Sequence, residues 1–223
     1  MKQGLKNPLF WGLSVIMLLN IYLIAFYAPV ERTMGVVQKV FYFHVASAWV
    51  GLLALTVVFA ASIAYLMRRT ERANNLALAS AEIGTIFISC TLLTGPLWAY
   101  PIWNTWWTWD PRLTTTLVLW FMDLAYIALQ GGGVSEDRKR LSAVYGIICF
   151  VNVPLVFFST RWWRSIHPVV ITSEGMALTP EMKVAMFFSV GVFSLLYLHL
   201  LRLRVKSLGL QRRVQQLKAQ LFA

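Results

Sequence analysis

A chain of 223 residues that is 58% apolar and 13% charged, with a mean hydropathy of +0.64, lies far from soluble domains, which run about 45–50% apolar and about 25% charged. A water-soluble enzyme, a secreted disulfide scaffold and a disordered chain are excluded on these proportions. The formal charge of +11 would point to nucleic acid in a soluble protein. In so apolar a chain it is tested first as a membrane-orientation signal.

A membrane-crossing helix needs roughly 20 mostly apolar residues. Six segments meet that need: 9–28, 41–67, 76–98, 113–130, 141–160 and 182–203. The first ends without a small-x-small motif and is long enough to cross, so it reads as a span, not a cleaved signal. Cys90 and Cys149 both fall inside apolar runs, where they read as small buried hydrophobes. No connecting piece is long enough for a core of its own. The expectation is one all-α integral membrane domain over residues 1–223, with six transmembrane helices and no internal repeat.

Basic residues alternate from one connection to the next. Lys2 and Lys6, Arg68, Arg69 and Arg72, Arg138, Lys139 and Arg140, and the tail from Arg202 to Lys218 hold 14 of the 20 Lys and Arg. The positive-inside rule then puts both termini in the cytoplasm, including a basic tail over 204–223. This accounts for the charge without nucleic acid. The outer side receives segments 29–40, 99–112 and 161–181, which are aromatic and polar. Function is expected there, because loops held by a rigid scaffold usually carry it.

Residues 98–109 read WAYPIWNTWWTW and hold five of the ten tryptophans. Indole rings favour both membrane interfaces, and such a belt is a sufficient reading for Trp98 and Trp120. It leaves unexplained the crowding of Trp103, Trp106, Trp107 and Trp109 on one side, joined by Trp162 and Trp163. An aromatic shelf on the outer leaflet would suit a large flat apolar ligand. Asp110-Pro111 has the form of a helix N-cap followed by proline at the first helical position, and Thr179-Pro180 repeats it. Arg112 would pair with Asp110 or face an anionic group of a ligand.

Of three histidines, His199 lies near the inner end of the sixth span, roughly 25 Å from the outer surface by helix rise. His44 and His167 are the two on the outer side, and both adjoin aromatics. Two neutral imidazoles and an aromatic wall suit a bis-histidine haem site. Zinc suits them less, because it takes four ligands and only Glu31, Asp110, Glu174 and Glu181 lie near. Glu82 and Asp123 fall inside spans, as pairing partners for neighbouring helices or proton relays. Asn152 and Pro154 predict a kink in the fifth span.

The string GPLWAYPIWNTWWTWDPRLT resembles the tryptophan-rich WWD signature of haem-handling membrane proteins, and within that superfamily the haem exporter protein C family of cytochrome c maturation. Its core is Trp106, Trp107, Trp109, Asp110, Arg112, Leu113 and Thr114. FYFHVASAW resembles the histidine-bearing second span, placing His44, and NVPLVFFSTRWWRSIHP the second histidine motif, placing His167. The resemblance covers nearly the whole chain. Ala99 and Asn104 stand where that motif commonly has glycine, and Ala46 where it commonly has proline; Pro111 fills a variable position.

The resemblance implies a non-enzymatic, multi-pass subunit of the bacterial inner membrane. Such a subunit holds haem b at the periplasmic face and presents it to a haem chaperone, protein E. Its partners would be the ATP-driven proteins A and B, a small membrane protein D and membrane lipid. His44 and His167 would be the axial iron ligands. The WWD segment over 98–114 and the second outer loop over 161–181 would bind the rest of the haem, through Trp103, Trp106, Trp107, Trp109, Asp110, Arg112, Trp162, Trp163, Arg161 and Arg164. The chain has no G-x-x-x-x-G-K-[ST] loop of its own. The rival reading is an ABC permease that moves haem through the bilayer. That reading needs a continuous polar path, for which Glu82, Asp123 and Asn152 are the candidates.

Overall fold

The computed structural model describes residues 8–131, 135–167, 171–172 and 175–221. Lys2, Lys6 and Glu174 lie outside them. Seven helices build six segments long and apolar enough to cross a membrane. They are α1 (Pro8–Tyr22, continued by a π-helical turn, Leu23–Tyr27), α2 (Val40–Arg68), α3 (Glu71–Trp103), α4 (Pro111–Gly131), α5 (Glu136–Phe150), α6 (Asn152–Trp162) and α7 (Pro180–Leu221). Ile171–Thr172 and Gly175–Met176 pair as a two-residue antiparallel hairpin, β1 and β2.

The centre of the bundle is the α2–α3 pair. Its contact face is rich in small residues, as helix packing without a hydrophobic driving force requires. A Cβ on Gly84 would come within 2.9 Å of the Ala54 Cβ, and one on Gly51 within 2.7 Å of the Ile88 side chain. Ala46, Val50, Ala54, Ala79, Ile83 and Phe87 fill this seam and meet Phe193, Tyr197 and Leu201 of α7. Several polar groups inside the spans are spent on neighbouring helices. The Ser80 hydroxyl meets both the Ala54 carbonyl and the Tyr197 hydroxyl at 2.7 Å, Ser189 donates to Asn20 at 2.8 Å, and Thr85 donates to Asp123 at 2.7 Å. Outward faces such as Val15, Leu18, Phe26 and Leu93 are exposed and apolar, as a lipid-facing surface demands.

The fifth span breaks at Val151, between α5 and α6. Pro154 cannot supply an N–H to the carbonyl four residues back. Asn152 turns its amide to the Thr115 carbonyl of α4 at 3.0 Å, so the break is braced from outside the helix.

In two places helix runs beyond the end of the predicted span. The outer segment from residue 99 begins inside α3, which runs through Pro96 and Pro101 to Trp103. It stops at Asn104, whose φ of 50° is left-handed and is tolerated by asparagine as well as glycine. The basic tail continues α7 to Leu221. It is held against α3 by a two-bond ion pair between Arg204 and Glu82, at 2.5 and 2.7 Å, and by an ion pair between Arg212 and Glu71. At the same end, Lys139 bridges Glu71 and Glu136.

Candidate functional site

The two outer histidines reach one cavity. His44 sits in the second turn of α2 and His167 in the segment after α6, and both line a cavity of about 680 Å³. Its walls are mostly apolar and come from α2, α3, α4, α6 and α7, with Leu119 and Ile88 toward the middle of the spans. That size lies within the 300–1,000 Å³ typical of small-molecule sites.

Trp98 ties the two imidazoles together. Its ring centroid is 6.2 Å from that of His44 and 6.2 Å from that of His167, with only 16° between the latter two planes. The imidazole centroids therefore lie no farther apart than twice that distance. Trp98 is only 8% exposed and stacks on Phe41. An interfacial-belt reading of Trp98 is therefore overturned: it is a wall of the cavity. Trp120 is no simple belt residue either, because its indole N–H donates to Ser89 at 2.8 Å within the bundle.

The expected shelf divides in two. Trp103, at 6.4 Å and edge-on to His167, and Trp107 line the cavity with Trp98. Trp106 and Trp109 are 57% and 75% exposed and lie outside its walls. Trp106 stacks on Tyr100 at 4.3 Å, and Trp109 packs edge-on against Trp107. Trp162 and Trp163 are exposed as well, with Trp162 stacked on Phe158. Arg161 lines the cavity; Arg164 is exposed and outside it.

Asp110 caps α4 and also fastens the second outer loop. One carboxylate oxygen accepts the Arg112 backbone N–H at 2.9 Å. The other accepts the Ser165 hydroxyl at 2.7 Å and the Ile166 backbone N–H at 2.9 Å. Ser165 in turn accepts the His167 backbone N–H at 3.0 Å. A buried carboxylate so occupied positions His167 and does not itself face the cavity. The Arg112 side chain does not pair with Asp110. It donates to the Phe157 carbonyl at 2.8 Å and to the Thr160 hydroxyl at 3.2 Å, and it borders the cavity.

Two donors in the cavity wall are buried without an acceptor, Trp98 Nε1 and Arg112 Nε. Buried polar groups are normally satisfied. The apolar walls, with Arg112 and Arg161 at their border, suit a ligand with an apolar body and an anionic edge, and haem with its propionates has that chemistry. Two imidazoles beside the same cavity complete a donor set for its iron. Among the described residues no cluster of three or more His, Cys, Asp or Glu is placed to hold a bare metal ion. Sequence reasoning missed Trp98 and its neighbour Thr94, whose hydroxyl lies 3.1 Å from His44 Nδ1.

Residues 2–220 match the family model described as Heme exporter protein C. The chain is similar to Heme exporter protein C of Bradyrhizobium diazoefficiens, 33% identical over 86% of this chain and 74% of that one. It is also similar to the proteins of that name from Escherichia coli, 33% identical over 82% of this chain and 74% of that one, and from Haemophilus influenzae, 29% identical over 91% and 84%. A model spanning nearly the whole chain, six membrane-crossing segments and a cavity bordered by two histidines agree: the chain belongs to the Heme exporter protein C family.

Proposed function

We propose that this chain holds haem b in the cavity between His44 and His167, at the periplasmic face of the inner membrane, and presents it to a haem chaperone, protein E. Membership of the family places the chain in haem handling for c-type cytochrome biogenesis. The single observation that carries the finer reading is the convergence of two histidines and two arginines on one apolar cavity.

In this reading haem is cargo, and His44 and His167 would hold its iron through imidazole nitrogens. Trp98, Trp103 and Trp107 bury the macrocycle by stacking and area. Arg112, with Arg161 beside it, meets the propionates through charge-assisted hydrogen bonds. Holding the ligand in one pose lowers the entropic barrier to its attachment elsewhere. The exposed rings of Trp106, Trp109, Trp162 and Trp163, with Arg164, form the rim that protein E meets. Proteins A and B supply the ATP-driven step, and protein D and membrane lipid complete the surroundings. Glu82, Asp123 and Asn152 are each engaged by a neighbouring helix, which supports holding over a polar route through the bilayer. The positive-inside pattern supports cytoplasmic termini.

The test is the visible spectrum of the purified full chain with haem. A six-coordinate low-spin spectrum is expected. His44→Ala and His167→Ala should each abolish it or turn it high-spin. An unchanged spectrum in both variants would refute the ligand assignment.

A further inference from the structure

His44 is held by more than packing. Its Nδ1 lies 3.1 Å from the Thr94 hydroxyl, on the facing helix α3. A hydroxyl has one proton to give. The Thr94 oxygen is 2.7 Å from the Cys90 carbonyl and 3.5 Å from the Thr91 carbonyl. The short bond to Cys90 takes the proton, because a carbonyl can only accept. Toward His44 the Thr94 oxygen is then an acceptor, and the imidazole must bring its proton on Nδ1. Nε2 is left with the lone pair.

The ring has little freedom to turn away from this arrangement. A Cβ on Gly95 would lie 3.3 Å from His44 Cε1, so the α3 backbone presses against the imidazole edge. Trp98 stands one turn farther along the same helix. Thr94, Gly95 and Trp98 thus surround the ring from one helix, and its remaining side borders the cavity.

Resting on the haem-holding reading above, we propose that Thr94 is the positioning residue of the site. Its hydroxyl, anchored on the Cys90 carbonyl, fixes His44 as the Nδ1–H tautomer and reserves Nε2 for the iron of the cargo. Partners of this kind fix ring orientation and raise ligand basicity, and their loss typically costs 10–100-fold in metal affinity.

The test uses the full chain in detergent, with Thr94→Val, which keeps the shape and removes the acceptor, and Thr94→Ser, which restores it. Nitrogen NMR of the haem-free, histidine-labelled protein reads the tautomer directly, and the three histidines are assigned by single substitution. The parent chain and Thr94→Ser should show His44 protonated at Nδ1, whereas Thr94→Val should lose that single form. With haem, Thr94→Val should bind about 10–100-fold more weakly and shift the midpoint potential upward, and Thr94→Ser should restore both. A parent chain protonated at Nε2 overturns the proposal, and so does a Thr94→Val protein equal to the parent in affinity and potential. If His44→Ala itself leaves affinity and spectrum intact, the haem-holding reading fails and this proposal falls with it. An inert Thr94→Val beside a damaged His44→Ala removes the proposal alone.

Discussion

Asp110 and Ile166 are joined across 56 positions of sequence by a 2.9 Å hydrogen bond from backbone N–H to carboxylate. This contact lets the WWD segment decide where the second histidine stands. Asp110→Ala should remove the α4 cap, at about 0.5–2 kcal/mol, and should free the Ser165–His167 stretch as well. The expected readout is a lower melting temperature together with a shift of bound haem toward high spin. Asp110→Asn keeps two oxygen-acceptor bonds at most and should be milder on both counts. Loss of stability with an unchanged spectrum would show that Asp110 serves α4 alone.

The division of the tryptophans predicts a division of phenotype. Trp103→Ala with Trp107→Ala should weaken haem retention, because both rings line the cavity. Trp106→Ala with Trp109→Ala should leave retention near the parent level and weaken the complex with the chaperone. Haem off-rates by transfer to apomyoglobin and co-purification with the chaperone separate the two. Equal retention in both double variants would remove the distinction between wall and rim.

Packing at the α2–α3 seam leaves no room for a methyl group at Gly84. Its Cβ would meet the Ala54 Cβ at 2.9 Å, and neither atom is at the end of a flexible chain. Overpacking of this kind costs about 1–3 kcal/mol. Gly84→Ala should therefore lower the melting temperature and also weaken haem binding, because His44 and Thr94 sit on the two helices it pushes apart. Gly12→Ala, where a Cβ meets nothing within 4 Å, is the matched control.

Glu31 makes a pH prediction in the loop that leads into α2. Its carboxylate accepts the Met34 and Thr33 backbone N–H groups at 2.5 and 2.7 Å. The Met34 bond, above all, holds its pKa below the ordinary 4.5. A depressed carboxylate contributes stability that is complete above the unfolded value and is lost as pH falls through the folded one. A carbon-13 NMR titration of the Glu31 carboxyl should give a midpoint below 4.5, and Glu31→Gln should abolish the titration and loosen the Glu31–Gly35 turn. A midpoint at or above the ordinary value would refute the bonded turn.

Hydropathy made the six crossing segments legible, because uninterrupted apolar length is a one-dimensional property. Their ends were harder to read. Tryptophan and proline after residue 98 look like loop chemistry, yet α3 persists to Trp103 and ends only where Asn104 adopts a left-handed conformation. The basic stretch after Arg202 looks like a solvated tail, yet Glu82 and Glu71, far back in the chain, give its arginines partners and the helix continues. His44 and His167 were legible as the two histidines of one side. Thr94 and Trp98 were not, since their place beside an imidazole depends on how α2 and α3 register against each other. Asp110 was half legible: its capping role is local, and its grip on Ser165 and Ile166 is tertiary.

The unbroken run of α7 has a mechanical consequence. Its 42 residues make a rod about 63 Å long at helical rise. Met186 and Val190 near one end border the cavity, while Arg204 and Arg212 near the other are clasped by α3. It carries no proline after its first residue, and its two glycines, Gly191 and Gly209, are its softest points. A displacement at the arginine end would therefore reach the cavity wall only as far as the helix stays straight through Gly209 and Gly191.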